Sequence, residues 1–478
     1  MKTAHDGKLG LIALVAIVVS SMIGGGVYSL PQNMAQYSAA GPALIAWIIT
    51  GVGIFFVANS LRILANARPD LQAGIYMYAH EGFSPFVGFL VAWGYWLMTI
   101  FGNVAFAVIL MDALDQFFPG RFTGGGNLNS IICGSILIWG YYYLVTRGVT
   151  TVGAANIIGT IAKLIPLVIF ILIVGWAFDS ANLSHDYWGS DPQTVKSLGP
   201  VSHQITNPLL ITLWMFVGIE GAVVMSGNAR NSKDIGRATL IGLFLSLFIY
   251  IGLSLLPYTV ASQAELAKLS TPSTAGVLKM MIGKTGELIM SIGMIISVMT
   301  GWLAWTMLCA EIPMAAAING TFPKFFAKKN AHGAAGNSLL VSSAIMQLAM
   351  VLLWFSSNAW NTMVNLTSVM VIPAYLASTL FLFNSALNGR KSAGGGTMLA
   401  LISSGIGVLF CLLMIYFSDP IYTMMIPIMM TIGIPLYLYA SMNTKSGPFN
   451  FSRKDLFYLI ILLAVDAVVM LYMNHIGL

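Results

Sequence analysis

The chain has 478 residues, 58% of them hydrophobic and 8% charged, with a formal net charge of +6. Soluble proteins carry near 25% charged residues, so this composition excludes a soluble enzyme, a nucleic-acid binder and a disordered chain. It specifies an all-α polytopic membrane protein.

A membrane-crossing helix takes about 20 mainly apolar residues. In chain order the sequence predicts thirteen such spans, at 9–30, 41–61, 84–111, 128–146, 153–178, 206–227, 237–260, 286–318, 337–357, 360–386, 397–417, 420–441 and 456–474. Lys2 and Lys8 ahead of the first span mimic a secretory leader, but no small-residue cleavage site follows, so it is read as a helix. Placing the N-terminus in the cytoplasm puts sixteen of the 22 lysines and arginines in inner segments. Five, Arg121, Lys196, Lys268, Lys279 and Lys284, fall outside, and Lys163 lies within a span. That bias obeys the positive-inside rule across every alternation and leaves the C-terminus outside.

The connections carry little chemistry. The outer loop 179–205, with Asp179, Asp186 and Asp191, reads as a solvated connector, and Gly394-Gly395-Gly396 as a cytoplasmic turn. Gly283-Lys284-Thr285 imitates the end of a phosphate loop, but six residues instead of four separate it from Gly276. Cys133, Cys309 and Cys411 form no ligand cluster, and His5, His80, His185, His203, His332 and His475 sit in loops or termini. No metal or cofactor is therefore expected. A channel would show repeated filter loops, and a membrane enzyme clustered acids or histidines; neither pattern is present.

Two spans look interrupted. Span 1 contains Ser20-Ser21-Met22-Ile23-Gly24-Gly25-Gly26-Val27-Tyr28-Ser29-Leu30-Pro31, and each glycine weakens a helix by about 1 kcal/mol relative to alanine. Span 6 contains Trp214-Met215-Phe216-Val217-Gly218-Ile219-Glu220-Gly221-Ala222, two glycines around a mid-membrane carboxylate. Close packing on small residues is one reading. The favoured one is a pair of unwound hinges, because glycine-interrupted segments at corresponding places in two halves point to a transporter's binding site. Free N–H groups there suit a carboxylate and freed carbonyls an ammonium, which describes a receptor for an α-amino acid. Met22, Ile23, Gly25, Gly26, Trp214, Val217 and Glu220 are its candidate lining.

The chain also resembles the amino acid–polyamine–organocation superfamily, in particular basic amino acid/polyamine antiporters of the arginine/ornithine type. The broken first helix, the run Pro69, Gly74, Tyr76, Tyr78, Gly82, Gly88, Phe89, Trp93, Tyr95 and Trp96, the segment Trp214 to Glu220, and Asn319-Gly320-Thr321-Phe322-Pro323-Lys324-Phe325-Phe326-Ala327 occur in the family's order. The resemblance implies a five-plus-five inverted-repeat fold over residues 1–387, with repeats at about 9–178 and 206–386. Residues 388–478 would be additional C-terminal helices. It implies alternating-access exchange of a basic amino acid for its decarboxylated or ornithine-like product, with aromatic or imidazole pairs also compatible and a proton-coupled uptake symporter as the alternative. Matched substrate contacts are Gly25, Gly26, Tyr95, Asn103, Trp214, Glu220 and Trp305. Gly25 stands where a relative has serine, which removes one hydroxyl contact. The expected partners are amino acid and amine substrates and the lipid bilayer, with a cytoplasmic decarboxylase working alongside; a homodimer stays open. The expected location is the bacterial inner membrane.

Lys163 lies ten residues into span 5, about 15 Å deep, and an intramembrane charge is a functional candidate. The resemblance implies that it takes the place of a coupling sodium ion and braces broken helix 1 against helix 8. Glu220 is the second coupling candidate, Glu311 a candidate inner-gate acid, and Asp466 is read as structural. Trp47, Trp139, Trp176, Trp354 and Trp360 are read as interface belt or packing.

Overall fold

Segment lengths and apolarity lead to the architecture found in a computed structural model. It describes residues 8–179, 186–355, 359–390, 394, 396–442 and 452–476; Lys2, His5, His185, Lys391, Gly395 and Lys445 of the sequence reading lie outside these. Among the described residues, twelve helices are long and apolar enough to cross a membrane. A thirteenth crossing is the bent pair Leu11–Met22 (1a) and Gly26–Ala35 (1b), which meet at 45°.

The remaining crossings are Ala40–Ala67, Pro85–Asp115, Leu128–Val145, Val149–Trp176, Val201–Asn228, Ser232–Thr259, Lys284–Ile318, Gly336–Phe355, Ala359–Leu387, Met398–Phe417, Pro420–Met442 and Arg453–Ile476, numbered here as spans 2 to 13. Their ends follow local rules. Pro85 opens span 3 at a position whose N–H needs no helical partner, and Ser84 caps it by accepting from the Val87 N–H at 3.3 Å.

Burial separates core from periphery. In span 3, 83% of the apolar window is buried, against 6% in span 13. Span 3 packs between spans 8 and 10, helix 1a between spans 5 and 7, and span 11 against spans 2 and 10.

Loop contacts give a test of sidedness independent of charge. Segments assigned to the cytoplasm bond to one another: Leu9 N–H donates to Asn228 O at 2.8 Å, Arg230 N–H to Leu9 O at 2.8 Å, and Asn330 Nδ2 to Thr146 O at 2.7 Å. Outer segments do likewise, with Gly41 N–H on Tyr187 O at 2.8 Å and Gln116 Nε2 on Thr271 O at 2.9 Å.

The outer loop between spans 5 and 6 departs from the expected solvated connector. Helix Pro192–Leu198 occupies it and Val201–Thr206 forms the outer turns of span 6, where buried Gln204 donates to Gly189 O and Gly199 O while accepting from Ala39 N–H. Gln204 thus satisfies two carbonyls of this loop, and Gly41 N–H at the start of span 2 satisfies a third, Tyr187 O. Gly283 begins span 8 with φ +70°, a helix start and not a phosphate cradle.

Candidate functional site

Both expected interruptions are present. Helix 1a stops at Met22, and the chain re-forms only as a 3-10 turn at Gly26–Ser29. Span 6 runs as a helix over Leu209–Phe216 (6a), breaks with Val217 extended and Gly218 at φ +107°, and resumes at Gly221–Val224 (6b). The breaks touch: Ser21 Oγ donates to Gly218 O at 2.8 Å. A Cβ on Gly218 would sit 2.7–2.8 Å from Ser21, backbone included, so glycine is required by contact as well as by φ.

A break in lipid strands backbone carbonyls, which must find donors. On helix 1 the donors come from distant spans. Lys163 Nζ, fully buried, donates to Ile23 O at 2.6 Å and Ser20 O at 3.2 Å. Ser297 Oγ of span 8 donates to Gly24 O at 3.0 Å and Ile23 O at 3.3 Å, and Trp305 Nε1 donates to Ser21 O at 2.7 Å. On span 6, Tyr250 Oη donates to Met215 O at 2.7 Å. The carbonyls expected to face an ammonium are therefore engaged by side chains in this conformation. The N–H groups of Gly25 and Gly26 precede the first closed bond of the 3-10 turn, from Tyr28 N–H to Gly25 O at 3.1 Å, and stay outside the helical ladder.

These elements enclose a central cavity of about 10 Å³ walled by Ser21, Met22, Gly24, Gly25, Gly26, Val27, Ala105, Phe106, Trp214, Met215, Val217, Trp305 and Trp360. Trp214 and Trp305 lie with ring centroids 6.0 Å apart, and Phe106 meets Trp305 edge-on at 5.7 Å. Gly102 makes room for this cluster, since a Cβ there would fall 2.1 Å from Trp305 Cζ3. The partly exposed wall residues are Trp214, midway along span 6, and Trp360, at the outer end of span 10.

Beneath the cavity is a buried knot. Glu220 Oε1 accepts from Tyr95 Oη at 2.8 Å; its Oε2 accepts from Tyr375 Oη at 2.5 Å and Gly218 N–H at 3.2 Å. One carboxylate thus ties spans 3, 6 and 10 together.

Comparison with known proteins places the chain. Residues 9–465 match the family model described as amino acid permease. The chain belongs to that family. Arginine/agmatine antiporters of Chlamydia pneumoniae and Chlamydia trachomatis serovar D are each 48% identical to it. They align with 95% of this chain and 94% of their own length. The antiporter of Chlamydia caviae is 47% identical over the same shares.

Of the substrate contacts expected for this permease, Met22, Gly25, Gly26, Trp214, Val217 and Trp305 line the cavity. Ile23, Tyr95, Asn103 and Glu220 are buried behind its wall. Ile23 is there because its carbonyl serves Lys163 and Ser297. Asn103 is there because its amide donates to Thr99 O at 2.6 Å and accepts from Thr306 Oγ1 at 3.1 Å. Trp360, read as interface belt or packing, packs at the outer end of span 10 as part of the cavity wall. Phe106 and Tyr375 escaped sequence reasoning altogether. Phe106 lies one turn beyond Asn103 on the same face of span 3, a spacing that pointed to it; nothing local marked Tyr375.

The two remaining family-like segments pack on each other at the cytoplasmic side. Tyr76 Oη bonds with Thr321 Oγ1 at 2.9 Å, and Phe322 lies 5.3 Å from Phe89. Burial pushes the Tyr76 hydroxyl up to about 12. In the same loop Arg68 donates to Asp70 at 2.8 Å and reaches Glu81 at 3.5 Å, and the Arg68 hydrogen bond holds the Asp70 carboxyl below its ordinary range. Glu311 is half-buried near the inner end of span 8. Thr431 Oγ1 of span 12 donates to Asp466, a structural link between spans 12 and 13.

Proposed function

We propose that this permease is an amino acid antiporter of the bacterial cytoplasmic membrane, exchanging arginine for its decarboxylated product agmatine by alternating access. One observation carries the reading: two broken helices bonded to each other beside a cavity that combines N–H groups outside the helical ladder with a pair of indoles 6.0 Å apart. The N–H groups of Gly25 and Gly26 suit an α-carboxylate. The faces of Trp214 and Trp305 suit a guanidinium, a contact worth about 2 kcal/mol when desolvated. Agmatine lacks the carboxylate and keeps the guanidinium, so the same indoles serve both partners of an exchange. The relatives' printed activity, at 48% identity over nearly the whole chain, favours this pair over lysine/cadaverine, histidine/histamine or tyrosine/tyramine.

In this reading the two five-span repeats, about 9–178 and 206–386, rock around the cavity, which must widen before it admits a substrate. Glu220 with Tyr95 and Tyr375 forms the inner closure. Lys163 couples the position of helix 1 to spans 5 and 8. The protein moves its substrate and makes no covalent change to it; a cytoplasmic decarboxylase supplies the amine. The test is counterflow in proteoliposomes preloaded with agmatine, ornithine, cadaverine, histamine, tyramine or nothing, with labelled arginine outside. Uptake should need internal agmatine. Uptake into empty vesicles driven by an inward proton gradient would make the protein a symporter.

A further inference from the structure

Span 13 packs on span 12 and span 3 and leaves a cavity of about 560 Å³ beside the inner half of span 10. Its walls are Gly82, Phe83, Leu380, Phe383, Asn384, Leu387, Arg453, Lys454, Phe457 and Tyr458. Three features of it fit together. Arg453 and Lys454 open span 13 at the cytoplasmic surface; both are exposed, and among the described residues neither forms an ion pair. The carboxylate next in the chain, Asp455, is buried and already accepts from Phe86 N–H at 3.1 Å and from Ser452 N–H at 3.0 Å and Ser452 Oγ at 2.7 Å. The other walls are almost all apolar or aromatic, with Phe83 and Tyr458 edge to face at 6.3 Å, and they continue from Leu387 up to Leu380, about 10 Å deeper along a helix.

We propose that this cavity binds an anionic phospholipid of the cytoplasmic leaflet, with Arg453 and Lys454 on the phosphate, Asn384 on the headgroup and the upper acyl chain between Leu380, Phe383 and Phe457. A gap between helices at this depth meets lipid from the side and headgroups from below. A pair of uncompensated cations at its mouth over an apolar shaft selects a ligand charged at one end. A soluble anion would use the cations and leave the shaft unfilled.

The test uses the full chain in nanodiscs of phosphatidylcholine doped with phosphatidylglycerol, with retained lipid counted by native mass spectrometry after mild detergent extraction. The double variant Arg453→Gln/Lys454→Gln should retain phosphatidylglycerol more weakly, by about fivefold for each cation removed. Lys324→Gln/Lys328→Gln, which removes the same charge from another cytoplasmic loop, should retain it as the parent does. Equal retention by all three proteins, or equal loss in both double variants, overturns the proposal. Inorganic phosphate should not displace the lipid; displacement would mean a simple anion site and would overturn it as well.

Discussion

Lys163 spends its Nζ donors on two carbonyls that exist as acceptors only because helix 1 is broken. Leaving a buried acceptor without its donor costs about 1–3 kcal/mol. Lys163→Ala should therefore lower the thermal midpoint and reduce arginine counterflow by at least about tenfold, while size-exclusion chromatography still shows a folded protein. Wild-type counterflow in that variant would remove the coupling role. Tyr375→Phe takes one of three donors from a buried carboxylate, costing about 1.5–3 kcal/mol in the closed state. A lower thermal midpoint with impaired exchange is expected. Combined with Tyr95→Phe, the loss should depart from the sum of the single effects, because both hydroxyls serve one group. Lys163 and Glu220 were visible in the sequence as charges in apolar runs, and Trp214 and Trp305 as mid-span indoles. Tyr375 was not, since a tyrosine in a span looks alike whether it bonds a carboxylate or packs. Trp360 was read as belt or packing for a related reason: a tryptophan at a span end is equally well suited to an interface or to the wall of a cavity.

At the scale of elements, the two breaks were legible because glycine runs are costly in a helix and proteins in lipid keep them only for a purpose. The donors that repair the breaks were not legible. Ser297 and Lys163 lie in spans 8 and 5, and only the packing of helix 1a against both brings them to Ile23. The helix in the outer loop did have a local sign, Asp191 ahead of Pro192, outweighed by the loop's acidic composition. Gly218 offers the sharper experiment. At φ +107° a side chain is strained, and its Cβ would press on the Ser21 backbone, so Gly218→Ala should destabilise the protein by about 1–3 kcal/mol and abolish counterflow. Gly140→Ala, where a Cβ meets nothing within 4 Å, should be near neutral in both assays.

For the whole molecule, the question is how the last three spans relate to the ten of the proposed repeats. The chain pattern alone sets a boundary near residue 387, yet packing divides the C-terminal region unevenly. Span 11 is built into the core: Asn59 Nδ2 donates to Ser403 Oγ at 2.7 Å, and Gly53 is held against Phe410 and Gly407 against Thr379 so tightly that a Cβ would clash at either glycine. Span 12 reaches the core through Trp93 Nε1 on Met429 O at 2.8 Å and through Gly94, which faces Met430. Span 13 is nearly all surface, tied in by the Asp455 cap on Phe86 N–H, by Asp466 accepting from Thr431 and by Tyr458, Leu459 and Leu462 against the core. Truncation after Met442 should then lower the thermal midpoint and preserve most arginine counterflow. Truncation after Leu387 strips the partners of spans 2, 3 and 10, opens their packed glycine faces to lipid and should leave no folded exchanger. If the shorter protein exchanged as well as the longer one, spans 11 and 12 would be accessories and the core would end where the sequence pattern put it.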